Sequence, residues 1–278
     1  MMSRAIKKVT LSVLLTFFAA AAVVPILLML VNSFKTGSEL AKNAWGIPSF
    51  WTFSNYASLV SFNSGILVRT FLNSVFVSVV YTLLTLIVSS LAAFAFSKYS
   101  FKGKNVIFIF LLATMMIPVE ITIPAIYLMF SKVHMLNTYS VQIFPGIANV
   151  FCLFMLKQYM DSLPNSLLEA ARLDGAGDIS IYQKVVLPLV SPAIGALAIL
   201  TFLGKWNDYL WPSMLLTRTE VMPIMVVLPT LNTGNSQWST PWELVMAGCV
   251  IVTLPLIIVF FIFQDQFMSS VTIGAVKE

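Results

Sequence analysis

Long apolar runs separated by polar segments constrain this chain more than any other feature. Runs of this kind cover residues 11–31, 71–96 and 106–130, a stretch ending near 160, then 191–216 and 244–263. A bilayer core takes about 20 residues of helix, so each run is long enough to cross. Apolar residues make up 59% of the chain and charged residues only 10%. A soluble domain is nearer a quarter charged. That excludes an ordinary soluble fold, a disordered chain and a nucleic-acid binder. The expected fold class is an all-α integral membrane protein with six transmembrane helices.

Lys and Arg collect in short cytoplasmic loops, which gives the net charge of +5 a simple meaning. With the N-terminus inside, ten basic residues fall in inside segments, five in outside segments, and Lys205 within a span. Both termini and the segment 161–190 are then cytoplasmic. Arg4, Lys7 and Lys8 before the first run resemble a signal peptide, but the run is long for one and reads as an uncleaved span. Cys152 and Cys249 sit in apolar runs without ligand spacing and read as packing residues. His134 has no partner at metal-ligand spacing, so no metal site is expected.

One cytoplasmic segment differs from the other loops. Residues 161–188 read DSLPNSLLEAARLDGAGDISIYQKVVLP. Ser166 and Glu169 form a capping-box pair. Leu163, Leu167, Ala170 and Ala171 share a helical face. Gly175 and Gly177 suit left-handed backbone. Asp178 suits an N-cap for a second helix over 179–187, which Pro188 stops. Two short amphipathic helices joined at a glycine corner are expected, with the two alanines leaving a low surface that admits a close partner. Taken singly, these features amount to capping and turn chemistry.

Together they resemble something more specific. Glu169-Ala170-Ala171, three residues, Gly175, nine residues, Val185, one residue and Leu187-Pro188 closely match the EAA loop of ABC-transporter permeases, where an isoleucine is usual at the Val185 position. LLEAARLDGAG, the run from Lys205 to Pro212 (KWNDYLWP) and the Gly274-Ala275-Val276-Lys277 tail resemble the carbohydrate branch, MalG-like subunits of binding-protein-dependent importers. Glu278 stands where glycine is common there. This resemblance implies a type I ABC importer permease fold: 1–69 holding the first span (11–31) and an external loop, a core at 70–263 with the EAA loop at 161–190, and a tail at 264–278. It also implies a bacterial or archaeal plasma membrane, a second MalF-like permease, two copies of an ABC ATPase and an external solute-binding protein. The chain has no G-x-x-x-x-G-K-[ST] loop, so no cofactor is expected on it; ATP and Mg would sit on the ATPase subunits. Glu169, Ala170, Ala171, Gly175, Val185, Leu187 and Pro188 would couple to them. The chain would be a transport subunit, not an enzyme.

Polar residues within the runs are translocation-path candidates. Glu120 lies between Pro118 and Pro124, either lining the pore or bonding backbone that the prolines free. Asp208 and Lys205 are spaced to pair with each other. Asn207 lies between Trp206 and Asp208. Trp206 and Trp211 suit either sugar stacking or an interfacial aromatic belt. Ser89, Ala93 and Ser97 form a small-residue packing face. The resemblance favours an oligosaccharide cargo. Glycerol phosphate, a polyamine or a peptide on the same machinery stays open, as does an ion-coupled carrier using Glu120 and Asp208.

Overall fold

The computed structural model describes residues 2–232 and 240–275, so Val276, Lys277 and Glu278 of the tail lie outside the described residues. All regular elements among the described residues are helical. The chain divides into two compact units, one of residues 1–69 and 227–255, the other of 70–226 and 256–278.

In the first unit, α1 (Met2–Asn32) carries Leu11, Phe17, Phe18 and Leu27 exposed along its length. A helix so apolar and so uncovered suits lipid, not water. The segment after it, read from sequence as a polar stretch, is a built structure. Lys35 is fully buried, and its Nζ donates to the carbonyls of Asn43 and Gly46, both at 2.6 Å. Asn55 Nδ2 donates to the carbonyls of Ser33 and Lys35 at 2.8 Å. Phe34 packs edge-on against Phe53 and tilted against Trp51 and Tyr56. Lys35, one of the five outside charges, thus acts as a pin for the loop.

In the second unit, α2 (Ile66–Lys98, entering the unit at Thr70) ends in a turn, and α3 (Lys104–Thr114) follows. Pro118 breaks the third run. A single 3-10 turn, Val119–Thr122, leads into α4 (Ile123–Lys132), and the two halves bend by 91°. The fourth run is also interrupted. Gly146, at φ +92, turns the chain, and Asn149 caps α5 (Val150–Asp161) through a bond from the Cys152 N–H at 3.0 Å. α5 is 12 residues, about 18 Å at the helical rise, shorter than a bilayer core. α6 (Asn165–Leu173) and α7 (Asp178–Ile181) form the segment read from sequence as cytoplasmic. The fifth run is α8 (Ser191–Trp206), broken before the short helix Leu210–Leu215. α9 (Trp242–Ala275) is the last, with its course from Leu256 in this unit.

Among the described residues, three helices are long and apolar enough to cross a membrane, or up to five if each of two bent pairs is one span. Breaks at Pro118, Gly146 and Asn207–Tyr209 divide the third, fourth and fifth apolar runs into helices too short to count singly as spans.

Side-chain amides hold loop 217–224 to the start of α2. Asn73 Nδ2 donates to the carbonyls of Glu220 at 2.9 Å and Met222 at 3.0 Å, while its Oδ1 accepts from the Tyr139 hydroxyl at 2.8 Å. Ser74 Oγ accepts from the Ile224 N–H at 2.8 Å. Removing a buried amide that serves three partners costs about 1–3 kcal/mol. Asn73→Ala should therefore lower the melting temperature of the purified protein in detergent and raise protease cutting near residue 220. An unchanged melting curve would show that the loop holds itself.

Candidate functional site: a glycine-cornered helical segment and a cavity

The segment 161–190 is assembled from its helix ends. α6 begins two residues earlier than the capping-box reading requires. Pro164 occupies the N-cap, with no side-chain cap bond, so Ser166 lies inside the first turn. Pro tolerates this place because an N-terminal N–H has no intrahelical partner anyway. The buried face also differs from the one the sequence pattern picks. Leu168 is buried and Ala171 half-buried against Leu156, Met160, Ile181 and Val186. Leu167 and Ala170 are exposed instead.

At its far end α6 closes in a Schellman motif. The Ala176 N–H donates to the Ala171 carbonyl and the Gly175 N–H to the Arg172 carbonyl, both at 3.0 Å, and Gly175 has φ +80. That pattern needs a left-handed residue after the cap, and an apolar contact between the flanking residues accompanies it. Ala171 and Ala176 are those residues, and both pack on the core. The Ala171-to-Gly175 spacing is thus the spacing of one helix terminus. Gly177 has φ −72 and takes no left-handed part.

After the corner, Asp178 begins α7 without capping it, and instead pairs with Arg172 at 3.4 Å. A π-helical turn, Tyr182–Val186, follows. Pro188 does not end the segment; it sits in the first turn of Leu187–Leu189, and the bend of 78° falls at Val190 before α8. Val185 and Leu187 are half-buried on the core and Pro188 is exposed. Such π-turns recur at functional sites.

The end of α2 clasps this segment. Ser97 Oγ donates to Asp161 Oδ1 at 2.7 Å, and Lys157 Nζ to its Oδ2 at 2.6 Å. Lys98 Nζ donates to the Leu163 carbonyl at 2.8 Å and to Asn165 Oδ1 at 3.2 Å. Partial burial works against the Asp161 carboxylate, but the Lys157 and Ser97 bonds and the Lys98 charge outweigh it and hold its pKa low. The Arg172 guanidinium lies 5.8 Å over the Tyr99 ring. Burial and the nearby Asp178 carboxylate push the Tyr99 phenol up. Deeper, the Tyr182 hydroxyl and Ser90 Oγ bond at 2.7 Å, and Phe94 touches both Tyr99 and Tyr182. What remains outward is Glu169, Ala170, Leu173 at 89% exposure and Ile179 at 74%. Large apolar side chains so exposed beside a charged residue suit a protein partner.

A cavity of about 510 Å³ lies within the second unit. Tyr81 of α2, Gln142, Asn149, Thr201 of α8, Lys205 and Asp208 contribute its polar groups, and Trp211 an aromatic wall. Lys205 Nζ bonds Asp208 Oδ2 at 2.8 Å and lies 5.1 Å from the Tyr81 ring centre. Asp208 Oδ1 accepts from the Trp211 N–H at 3.3 Å, which fixes the carboxylate between its two donors. Gly146 is required at the wall. Its backbone is left-handed, and a Cβ there would meet the Tyr81 hydroxyl at 2.8 Å.

Among the sequence candidates, the structure brings Asp208 to the cavity. Asn207 is exposed and caps α8, its Nδ2 donating to the Leu203 carbonyl at 3.0 Å. Trp206 is fully buried, stacked on Phe202 and edge-on to Phe71. Glu120 is exposed in the 3-10 turn beside Val119, which itself lines the cavity. Tyr81, Gln142 and Asn149 carried no sequence signal, because each comes from a different run and only the tertiary fold joins them.

Residues 85–273 match the family of binding-protein-dependent transport system inner membrane components, and the chain belongs to that family. It is therefore a multi-pass membrane permease subunit and not an enzyme. Over 266 residues it is 35% identical to the arabinooligosaccharides transport system permease protein AraQ of Halalkalibacterium halodurans, covering 94% of this chain and 93% of that one. It is 29% identical to the diacetylchitobiose uptake system permease protein NgcG of Streptomyces coelicolor, over 95% of this chain and 87% of that one. A crystal structure of a bacterial ABC transporter involved in import of the acidic polysaccharide alginate contains a chain with TM-score 0.81 and 26% identity, covering 95% of this chain and 98% of that one.

Proposed function

We propose that this chain is the membrane-spanning subunit of an ATP-driven importer of an oligosaccharide. It would work with a second, MalF-like permease subunit, two copies of an ABC ATPase and an external binding protein. The observation that carries this reading is the glycine-terminated α6, whose buried face packs on the membrane helices while Glu169, Ala170 and Leu173 stay exposed. The family match and the glycan cargoes in the relatives' names support it.

Residues 1–69 hold the first span and an external loop, 70–263 the permease core, and 264–278 the tail. Six crossings are counted when the broken runs are included, with both termini in the cytoplasm of a bacterial or archaeal cell. The segment 161–190 docks in a cleft of the ATPase, with Glu169, Ala170 and Leu173 in contact. Ala171, Gly175, Val185, Leu187 and Pro188 shape the segment.

When the ATPase pair closes on ATP, the docked segment moves as a rigid body. The bonds from Ser97 and Lys98, and the Ser90–Tyr182 contact, carry that motion to α2. Asp208 lies on the sugar's path; Glu120, Asn207 and Trp206 flank it.

Proteoliposomes holding the full importer test this reading. Binding-protein-delivered uptake should persist when ionophores collapse the proton and Na⁺ gradients, and should stop without ATP. Uptake driven by an ion gradient in the absence of ATP would overturn it.

A further inference from the structure

We infer that the cavity in residues 70–226 is a sugar subsite selective for uncharged units, and that the Lys205–Asp208 pair sets this selectivity. The inference rests on the importer reading above and adds the chemistry of the cargo. Three observations carry it. First, a volume of about 510 Å³ lies in the range of small-molecule sites and has room for a short stretch of a sugar chain. Second, the wall joins aromatic surface to neutral polar groups. Trp211 and Tyr81 bring aromatic surface to the wall for the C–H faces of a sugar, while Gln142, Asn149 and Thr201 bring amides and a hydroxyl for its hydroxyls. Two of these groups are held in place: Gln142 Nε2 by the Val221 carbonyl at 3.0 Å, and the Tyr81 hydroxyl by the Gly146 carbonyl at 3.1 Å. A site whose groups are fixed in advance loses less on binding.

Third, among the described residues the charged side chains lining the cavity are Lys205 and Asp208, bonded to each other at 2.8 Å and little exposed. Their charges cancel within the wall. An acidic sugar such as a uronate finds no free cation to offset the loss of its water, and an uncharged sugar meets no charge that needs a counterion. Removing one partner alone exposes the other charge. Removing both leaves a neutral wall.

The test uses the importer, with both permease subunits and its ATPases, in lipid nanodiscs without binding protein. The neutral probes are arabinotriose and diacetylchitobiose; the acidic probe is trigalacturonate. In the parent, at least one neutral probe should bind and the acidic one should not. Asp208→Asn should weaken neutral binding at least tenfold and admit trigalacturonate. The double variant Lys205→Met/Asp208→Asn should hold the neutral probe within about threefold of the parent. Trp211→Ala should weaken neutral binding about tenfold without admitting the acidic probe. If Asp208→Asn does not assemble, the exchanged pair Lys205→Asp/Asp208→Lys, still neutral overall, should keep the parent's preference.

Failure of both neutral probes to bind the parent, or stronger binding of trigalacturonate, would overturn the inference. So would a double variant as weak as the single one, since that marks the pair as a structural tie. ATP-driven uptake by the parent in proteoliposomes is read separately, so the importer reading can stand when the subsite fails.

Discussion

Gly175→Val should reduce ATP-driven uptake per permease to below about a tenth of the parent value while leaving the subunit in the membrane at near-normal level. Gly175 has φ +80, and a Cβ there meets nothing within 4 Å. The cost is therefore backbone strain alone, on the order of 1–2 kcal/mol for a left-handed side-chain-bearing residue and more for a β-branched one. That is too little to unfold membrane helices. It is enough to open the Schellman closure and swing Leu173 and Ile179 away from their docking geometry, and 1.4 kcal/mol is already tenfold in an equilibrium. Because no clash is involved, Gly175→Asn, which tolerates this conformation, should retain most uptake, with Gly175→Ala between the two. If all three variants lost uptake equally, a steric cause would replace the conformational one.

Leu173→Asp should release the ATPase from the membrane. Leu173 closes α6 with 89% of its surface exposed, so among the described residues this large apolar group is left uncovered. At a docked interface such a residue acts as an anchor, worth about 2 kcal/mol or more, or some 30-fold in ATPase affinity. The carboxylate should cost no fold stability, because the position is already open. Membrane-bound ATPase after a salt wash, compared with the parent at equal permease level, reads the loss. Ala171→Asp makes the contrast. It buries charge against Leu156 and Met160 and should lower permease level itself. Equal ATPase retention by the parent and Leu173→Asp would remove Leu173 from the interface.

Parts of this structure were legible in the sequence because they depend on local chemistry. Gly175 announced its turn because a left-handed helix end selects glycine wherever it occurs. Lys205 and Asp208 announced their bond by a three-residue spacing on a helix. Other parts depend on what a helix packs against, which local pattern does not contain. The cluster of Leu156, Met160, Ile181 and Val186 takes Leu168 and part of Ala171, while Leu167 and Ala170 stay outside. Asp178 looked like a cap and is an ion-pair partner, because Gly177 takes the N-cap position in extended backbone. Trp206 suited a sugar platform or an interfacial belt, yet its stacking on Phe202 one helical turn earlier puts it in the core. Lys35 was indistinguishable from a loop cation, since its acceptors are carbonyls eight and eleven residues away.

Cross-linking at Leu173 tests the central claim most directly. In a background with Cys152→Ala and Cys249→Ala, Leu173→Cys is a single thiol on the exposed face of α6. In inside-out membrane vesicles containing the whole importer, a short thiol-to-amine cross-linker should join it to the ATPase subunit, and ATP with vanadate should change the yield. In intact cells a membrane-impermeant maleimide should leave the same thiol unlabelled. A thiol that reacts with the impermeant maleimide in intact cells, or one that never joins the ATPase while uptake remains normal, would contradict both the orientation and the coupling role.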